Sequence, residues 1–98
     1  MESQLIYNKI IFYYDIIEKI KQEILKLNEL GDSVKFEVLM PAADNIKTMV
    51  DTLMEKYVLF TKDETNEALK REILDILNKI LEMVYNYKNI VYNLYKDL

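Results

Sequence analysis

The sequence predicts an all-α fold, an antiparallel up-down-up bundle of three long helices. Apolar residues recur at alternating steps of four and three along most of the chain, which is the spacing of helices that pack along their length. The chain contains one Gly and one Pro, far fewer than turn-rich β folds need. Its 98 residues, 51% of them hydrophobic, are enough for a single domain with one core.

The first helix is predicted to run from about residue 3 to residue 30. Gly31 provides a natural stop, because glycine adopts a positive φ at little cost. Asp32 or Ser33 can then cap the helix that follows. The apolar seam of this first segment consists of Ile6, Ile10, Tyr13, Ile17, Ile20, Ile24 and Leu27.

The second helix is predicted over about residues 34–60, but Pro41 leaves its start open. A proline inside a helix removes one backbone hydrogen bond and crowds the preceding turn. Either the helix begins near Ser33 and bends at Pro41, or it begins at Pro41 after an extended segment, residues 34–40. The unbroken seam favours the first alternative. That seam consists of Phe36, Leu39, Ala43, Ile46, Val50, Leu53, Tyr57 and Phe60.

The third helix is predicted over about residues 62–97, where Thr61 as N-cap and Glu64 match a capping box. At 1.5 Å per residue this helix would reach about 55 Å, whereas the first two would each span about 40 Å. The last ten residues would then have little cover within the chain. The seam of this segment consists of Leu69, Ile73, Ile76, Ile80, Val84, Tyr87, Val91, Leu94 and Leu98.

Both ends of the sequence carry more apolar surface than a three-helix bundle can cover. Residues 5–17 are apolar or aromatic at all but three positions, and the third segment has a second apolar ladder beside its seam. Large exposed apolar patches mark interaction sites, and Tyr is enriched at interfaces. We therefore expect a protein partner and a homodimer. The predicted interface residues are Tyr7, Ile11, Phe12 and Tyr14 near one end, and Tyr85, Tyr92, Leu94 and Tyr95 near the other.

The composition argues against catalysis and cofactor binding. The sequence contains no His and no Cys, which removes the commonest general base, the thiol nucleophile and the usual zinc ligands. Its single Gly excludes the glycine-rich phosphate-binding loops. Asp63, Glu64 and Glu67 could hold a hard cation, but acids in a first helical turn are explained more simply by the helix dipole. We expect a non-enzymatic protein with no cofactor, no metal and no small-molecule substrate.

The charge distribution gives little support for binding to nucleic acid or to membranes. The net charge is −4, and Arg71 is the one arginine, whereas duplex-binding proteins usually carry a basic footprint. No apolar run reaches the roughly 20 residues that span a bilayer. The opening "MESQ" has no basic region, so a secretory signal is not expected. The sequence therefore predicts a cytoplasmic protein.

Two functions remain. The sequence favours a protein–protein interaction module, such as an adaptor, an assembly or secretion chaperone or a regulatory subunit. Such a module would present its Ile/Leu/Tyr helical face to itself or to a partner helix. The alternative is a small acidic antagonist, of the kind that some viruses encode, whose carboxylates mimic the phosphates of nucleic acid. A salt titration separates the two, because a phosphate mimic loses affinity steeply with salt and apolar binding does not.

Overall fold

The computed structural model describes residues 2–95, with side chains described for residues 3–94. These residues form three helices and no strand: α1 (Glu2–Glu29), α2 (Ser33–Lys62) and α3 (Glu67–Tyr95). The prediction of an all-α, three-helix fold is thereby confirmed, and the arrangement is consistent with a three-helix bundle. The described chain is elongated, measuring 51 × 20 × 19 Å.

A tight turn joins α1 to α2. Gly31 adopts a φ of 86°, and its N–H donates to the carbonyl of Asn28 at 3.1 Å. The N–H of Asp32 reaches back to the carbonyl of Leu27 at 2.9 Å, which completes a Schellman motif. The Asp32 side chain then caps α2, accepting from the backbone N–H of Lys35 at 3.3 Å and from its ammonium at 2.8 Å. Gly31 therefore ends α1 as predicted, and α2 begins two residues later, at Ser33.

Pro41 lies inside α2 and does not begin it. Residues 34–40 are helical, so the alternative of an extended segment before Pro41 is wrong. The Asp32 cap fixes the start of the helix, and the buried side chains of Leu39 and Ala43 hold both sides of the proline against the core. The exposed ring of Pro41 faces away from that core.

The third helix starts later than the capping box predicted. Thr61 belongs to α2, where its hydroxyl donates to the carbonyl of Val58 at 2.6 Å. Asn66 caps α3 instead, accepting from the N–H of Leu69 at 3.1 Å. Asn is at least as good an N-cap as Thr, and the buried Phe60 keeps Thr61 in the preceding helix. The prediction that Thr61 and Glu64 open the helix is therefore wrong.

This later start and the longer α2 leave the described helices with similar lengths. The three helices contain 28, 30 and 29 residues, so each spans roughly 42–45 Å. Ile90, Val91 and Leu94 are partly buried against the core, so the described end of α3 is covered to that extent within the chain. The predicted end of the helix near residue 97 and the seam residue Leu98 lie outside the described residues.

α2 forms the shared side of the core. It contacts both other helices, whereas no Cα of α1 lies within 8 Å of a Cα of α3 in residues 2–95. The buried core residues belong to the three predicted seams, except Leu77, which the spacing placed beside the seam of α3. The buried side chains of the core are those of Ile6, Ile10, Ile17, Ile24, Leu39, Ala43, Ile46, Val50, Leu53, Phe60, Ile73, Leu77, Ile80, Val84 and Tyr87.

Adjacent isoleucines in α1 provide a matched test of this core. Ile10 is 0% exposed and Ile11 is 45% exposed. Ile10→Ala should lower the free energy of unfolding by about 2–5 kcal/mol, because it removes a buried side chain and leaves a cavity. Ile11→Ala should change it by less than about 1 kcal/mol. Urea unfolding followed by circular dichroism measures both, and equal losses would contradict the packing described here.

Replacing Pro41 tests whether α2 is continuous. Pro41→Ala should raise the free energy of unfolding, by up to about 3 kcal/mol, because alanine supplies the N–H that can bond to the carbonyl of Glu37. The same urea titration gives the value. Since Pro41 is exposed, no core contact is lost. A variant less stable than the wild type would show that the proline is needed at this position.

Candidate functional site

An apolar groove runs between α1 and α3, on the side of the molecule where these two helices do not meet closely. We call it the α1/α3 groove; its volume is about 590 Å³. Leu39 is the contribution of α2 to its lining. The groove exists because α1 and α3 both pack on α2 but leave a gap between themselves. One of its walls is formed by Ile16, Ile20, Glu23, Ile24 and Leu27 of α1.

The opposite wall belongs to α3 and consists of Val84, Tyr87, Lys88 and Val91. Val84 and Tyr87 are buried and lie deep in the groove, whereas Val91 is half-buried. The spacing of three and four residues places all of them on one helical face. Val84 and Val91 are aliphatic, and the ring of Tyr87 is also largely apolar. This wall would therefore bind a ligand mainly by burying apolar surface.

Two charged residues border the groove, one on each wall. Glu23 extends from α1 and Lys88 from α3, and both are exposed. Since the remaining lining is aliphatic apart from Tyr87, these two groups supply the charges that can orient a bound molecule. A group of three or more side chains suited to hold a metal ion is absent from the described residues, including around Asp63, Glu64 and Glu67.

The predicted interface residues of α1 lie on two different sides of that helix. Successive residues are about 100° apart, so Tyr14 and Ile16 point in nearly opposite directions. Tyr7 and Tyr14 face α2: the rings of Tyr7 and Tyr57 are 5.8 Å apart, and the Tyr14 hydroxyl donates to Asp51 Oδ1 at 2.7 Å. Phe12 is exposed on the side of Ile16, beside the groove.

The Tyr14–Asp51 hydrogen bond joins α1 to α2 away from the groove. Burial, followed by the hydrogen bond and the charge of Asp51, raises the pKa of Tyr14 to about 12. The same hydrogen bond, with a second one from Lys47 at 2.9 Å, lowers the pKa of Asp51. Tyr14 is therefore neutral and Asp51 charged at neutral pH, as a structural contact requires. This partner within the chain takes Tyr14 out of any free docking surface.

The predicted interface residues of α3 also divide. Tyr85 and Tyr92 are exposed, together with Leu74 and Leu81, and we call these four residues the α3 row. Leu94 is half-buried against the core, and the side chain of Tyr95 lies outside the described residues. The sequence analysis did not identify Glu23 and Lys88 as candidate site residues. In the sequence, each of them is a charged residue beside a broad apolar face, that of the first helix for Glu23 and that of the third for Lys88.

Comparison with protein families, with characterised proteins and with solved structures finds no match for this chain. Helices long and apolar enough to cross a membrane are absent from the residues that the structure describes.

The Tyr14–Asp51 contact predicts a specific response to alkaline pH. Because the folded pKa of Tyr14 lies above its ordinary value near 10, the unfolded chain loses this proton first. Stability is therefore lost as pH rises from about 10 to about 12. Tyr14→Phe should make that loss shallower, as measured by urea unfolding at a series of pH values. Tyr85→Phe, at an exposed position, serves as the control; an equal change in both variants would refute the contact.

Proposed function

We propose that this protein is a non-enzymatic interaction module that binds an amphipathic helix of a partner protein in the α1/α3 groove. The observation that carries the proposal is the groove itself. Two helices with apolar faces pack on α2 but leave apolar surface accessible between them. Apolar grooves between helices are a common docking site for helices, which contribute anchors at positions i, i+3, i+4 and i+7.

The dimensions of the groove suit such a ligand. From Ile16 to Leu27 the α1 wall extends over roughly 17 Å, about three turns of a docked helix. Three turns are enough to present the anchors at i through i+7. The half-buried side chains of Ile20 and Val91 on opposite walls would contact those anchors.

The proposal includes the antiparallel up-down-up arrangement. Contacts that join residue 7 to 57, 14 to 51 and 21 to 44 support it for α1 and α2. The ion pair between Lys56 and Glu72, at 3.1 Å, supports it for α2 and α3. In such a bundle α1 and α3 run in the same direction, and a helix laid between them would complete a four-helix bundle.

The lining of the groove also supports a binding role over a catalytic one. Most of the lining is aliphatic, and Glu23 and Lys88, the two charged groups, stand on opposite walls. A partner helix with a basic residue on the flank facing α1 and an acidic residue on the flank facing α3 would match both. We place the protein in the cytoplasm, where a chain without Cys is suited to the reducing conditions.

The acidic antagonist remains the alternative. Ion pairs join five of the described carboxylates to lysines at 2.8–3.1 Å, which leaves their charge partly neutralised. The net charge of −4 is also modest for a mimic of nucleic acid, so the helix-binding module is favoured.

The test uses a synthetic amphipathic peptide about five helical turns long, with Leu at positions i, i+3, i+4 and i+7. A peptide of the same composition, with the Leu residues moved out of one stripe, is the control. Titration of each into protein with labelled Ile, Leu and Val methyl groups, followed by NMR, locates the contact. The stripe peptide should shift the methyl resonances of Ile16, Ile20 and Val91.

Variants separate groove binding from nonspecific apolar contact. Ile20→Lys should weaken binding of the stripe peptide at least about tenfold, because it places an ammonium group among apolar anchors. Val58→Lys, at an exposed position on α2, should change it less than about twofold. Equal binding of the two peptides, or shifts confined to residues outside the groove, would overturn the proposal. A steep loss of affinity with added salt would favour the acidic antagonist.

A further inference from the structure

The α3 row is an exposed apolar stripe that lies outside the lining of the groove. Its residues, Leu74, Leu81, Tyr85 and Tyr92, are between 44% and 69% exposed. Steps of seven, four and seven residues keep them within a stripe about 40° wide on the helix. The stripe extends over roughly 27 Å, on the outer side of Lys88 from the groove. Large apolar side chains in one straight line are the pattern of a helix that packs against another helix.

We propose that the α3 row binds the same row of a second copy of this chain, with the two α3 helices antiparallel about a two-fold axis near residue 83. A two-fold contact requires that when residue i touches residue j, residue j also touches residue i. The steps of seven, four and seven read the same from both ends. Leu74 therefore faces Tyr92 of the second copy, and Leu81 faces Tyr85.

The charged neighbour of the row favours the antiparallel direction. In a parallel pair Lys88 would face Lys88 of the second copy, and such a like-charge contact is unfavourable. In the antiparallel pair Lys88 lies level with Asn78 of the second copy, across the row, because these two residues are equally far from its centre. The ammonium group of Lys88 can then donate to the amide oxygen of Asn78.

The size of the row sets the strength of the dimer. A single helix against its copy buries less than the roughly 1,200 Å² at the lower end of standard interfaces. We therefore expect a weak dimer that dissociates on dilution. This dimer is independent of the helix-binding function, because the row and the groove lie on different parts of α3. Failure of either proposal leaves the other standing.

Single cysteines test the register directly, since the chain has no Cys of its own. In antiparallel helices packed 8–10 Å apart, facing Cα atoms approach to within about 6 Å, which suits a disulfide. A mixture of Leu74→Cys and Tyr92→Cys chains should form disulfide-linked heterodimers under mild oxidation. Leu74→Cys alone should not cross-link efficiently, because the two copies of residue 74 would be about 27 Å apart.

The pattern of cross-links decides between the arrangements. Efficient cross-linking of Leu74→Cys to itself would show a parallel pair and overturn the antiparallel proposal. Absence of both the mixed heterodimer and the Leu74→Cys homodimer at the highest protein concentration, with both variants folded by circular dichroism, would overturn the contact altogether.

Light scattering over a dilution series tests the same interface without cross-linking. Leu81→Lys/Tyr85→Lys should raise the dissociation constant of the dimer at least about tenfold, because it places four lysines at the centre of the row. The matched control is Val34→Lys/Val38→Lys, which introduces two lysines at the same spacing at exposed positions of α2 and should alter the dissociation constant less than about twofold. A wild-type monomer at high micromolar concentration, or equal effects of both pairs, would overturn the proposal.

Discussion

The structure depends on one helix that serves two neighbours. The buried seam of α2, from Leu39 to Phe60, is the surface on which both α1 and α3 pack. Where Ile10 and Ile73 are fully buried, the side chains of all three helices fill the space between them. Further along, the gap between residues 16–27 of α1 and residues 84–91 of α3 opens into the groove, with Leu39 of α2 in its lining. The groove is thus a consequence of two helices that pack on a shared third helix without approaching each other closely.

Polar contacts between the helices determine how α1 and α3 are oriented on α2. Tyr14–Asp51 and the ion pair of Lys21 with Asp44 attach α1 to α2, and Lys56–Glu72 attaches α3 to α2. These contacts are partly exposed, so each contributes little to stability. Their effect is to fix how α1 and α3 are rotated about their own axes. That rotation decides which apolar side chains face the groove and which, such as Phe12, remain exposed beside it.

Much of the fold could be predicted from the sequence, because the seams are periodic and glycine marks a turn. Of the described residues that the spacing assigned to the core, many, such as Ile24 and Val50, are buried, and others, such as Ile20 and Val91, are partly buried against the core. The start of α3 could not be predicted, because Thr61 and Asn66 both suit an N-cap, and packing of Phe60 decides between them. The site was predicted less well. Periodicity predicts the direction in which Tyr14 leaves its helix. It does not predict that Asp51 of α2 accepts a hydrogen bond from Tyr14, because that contact depends on how the two helices pack.

α3 carries two apolar stripes with Lys88 between them. One contains Val84 and Val91 in the groove, and the other is the α3 row, roughly 90° further around the helix. Two helices packed 8–10 Å from α3 and separated by such an angle would lie more than about 11 Å apart, so they would not clash. A dimer built on the row would therefore present two grooves related by its two-fold axis. A partner with two copies of the docking helix would then bind more tightly than one helix alone, because the second contact forms within the same complex.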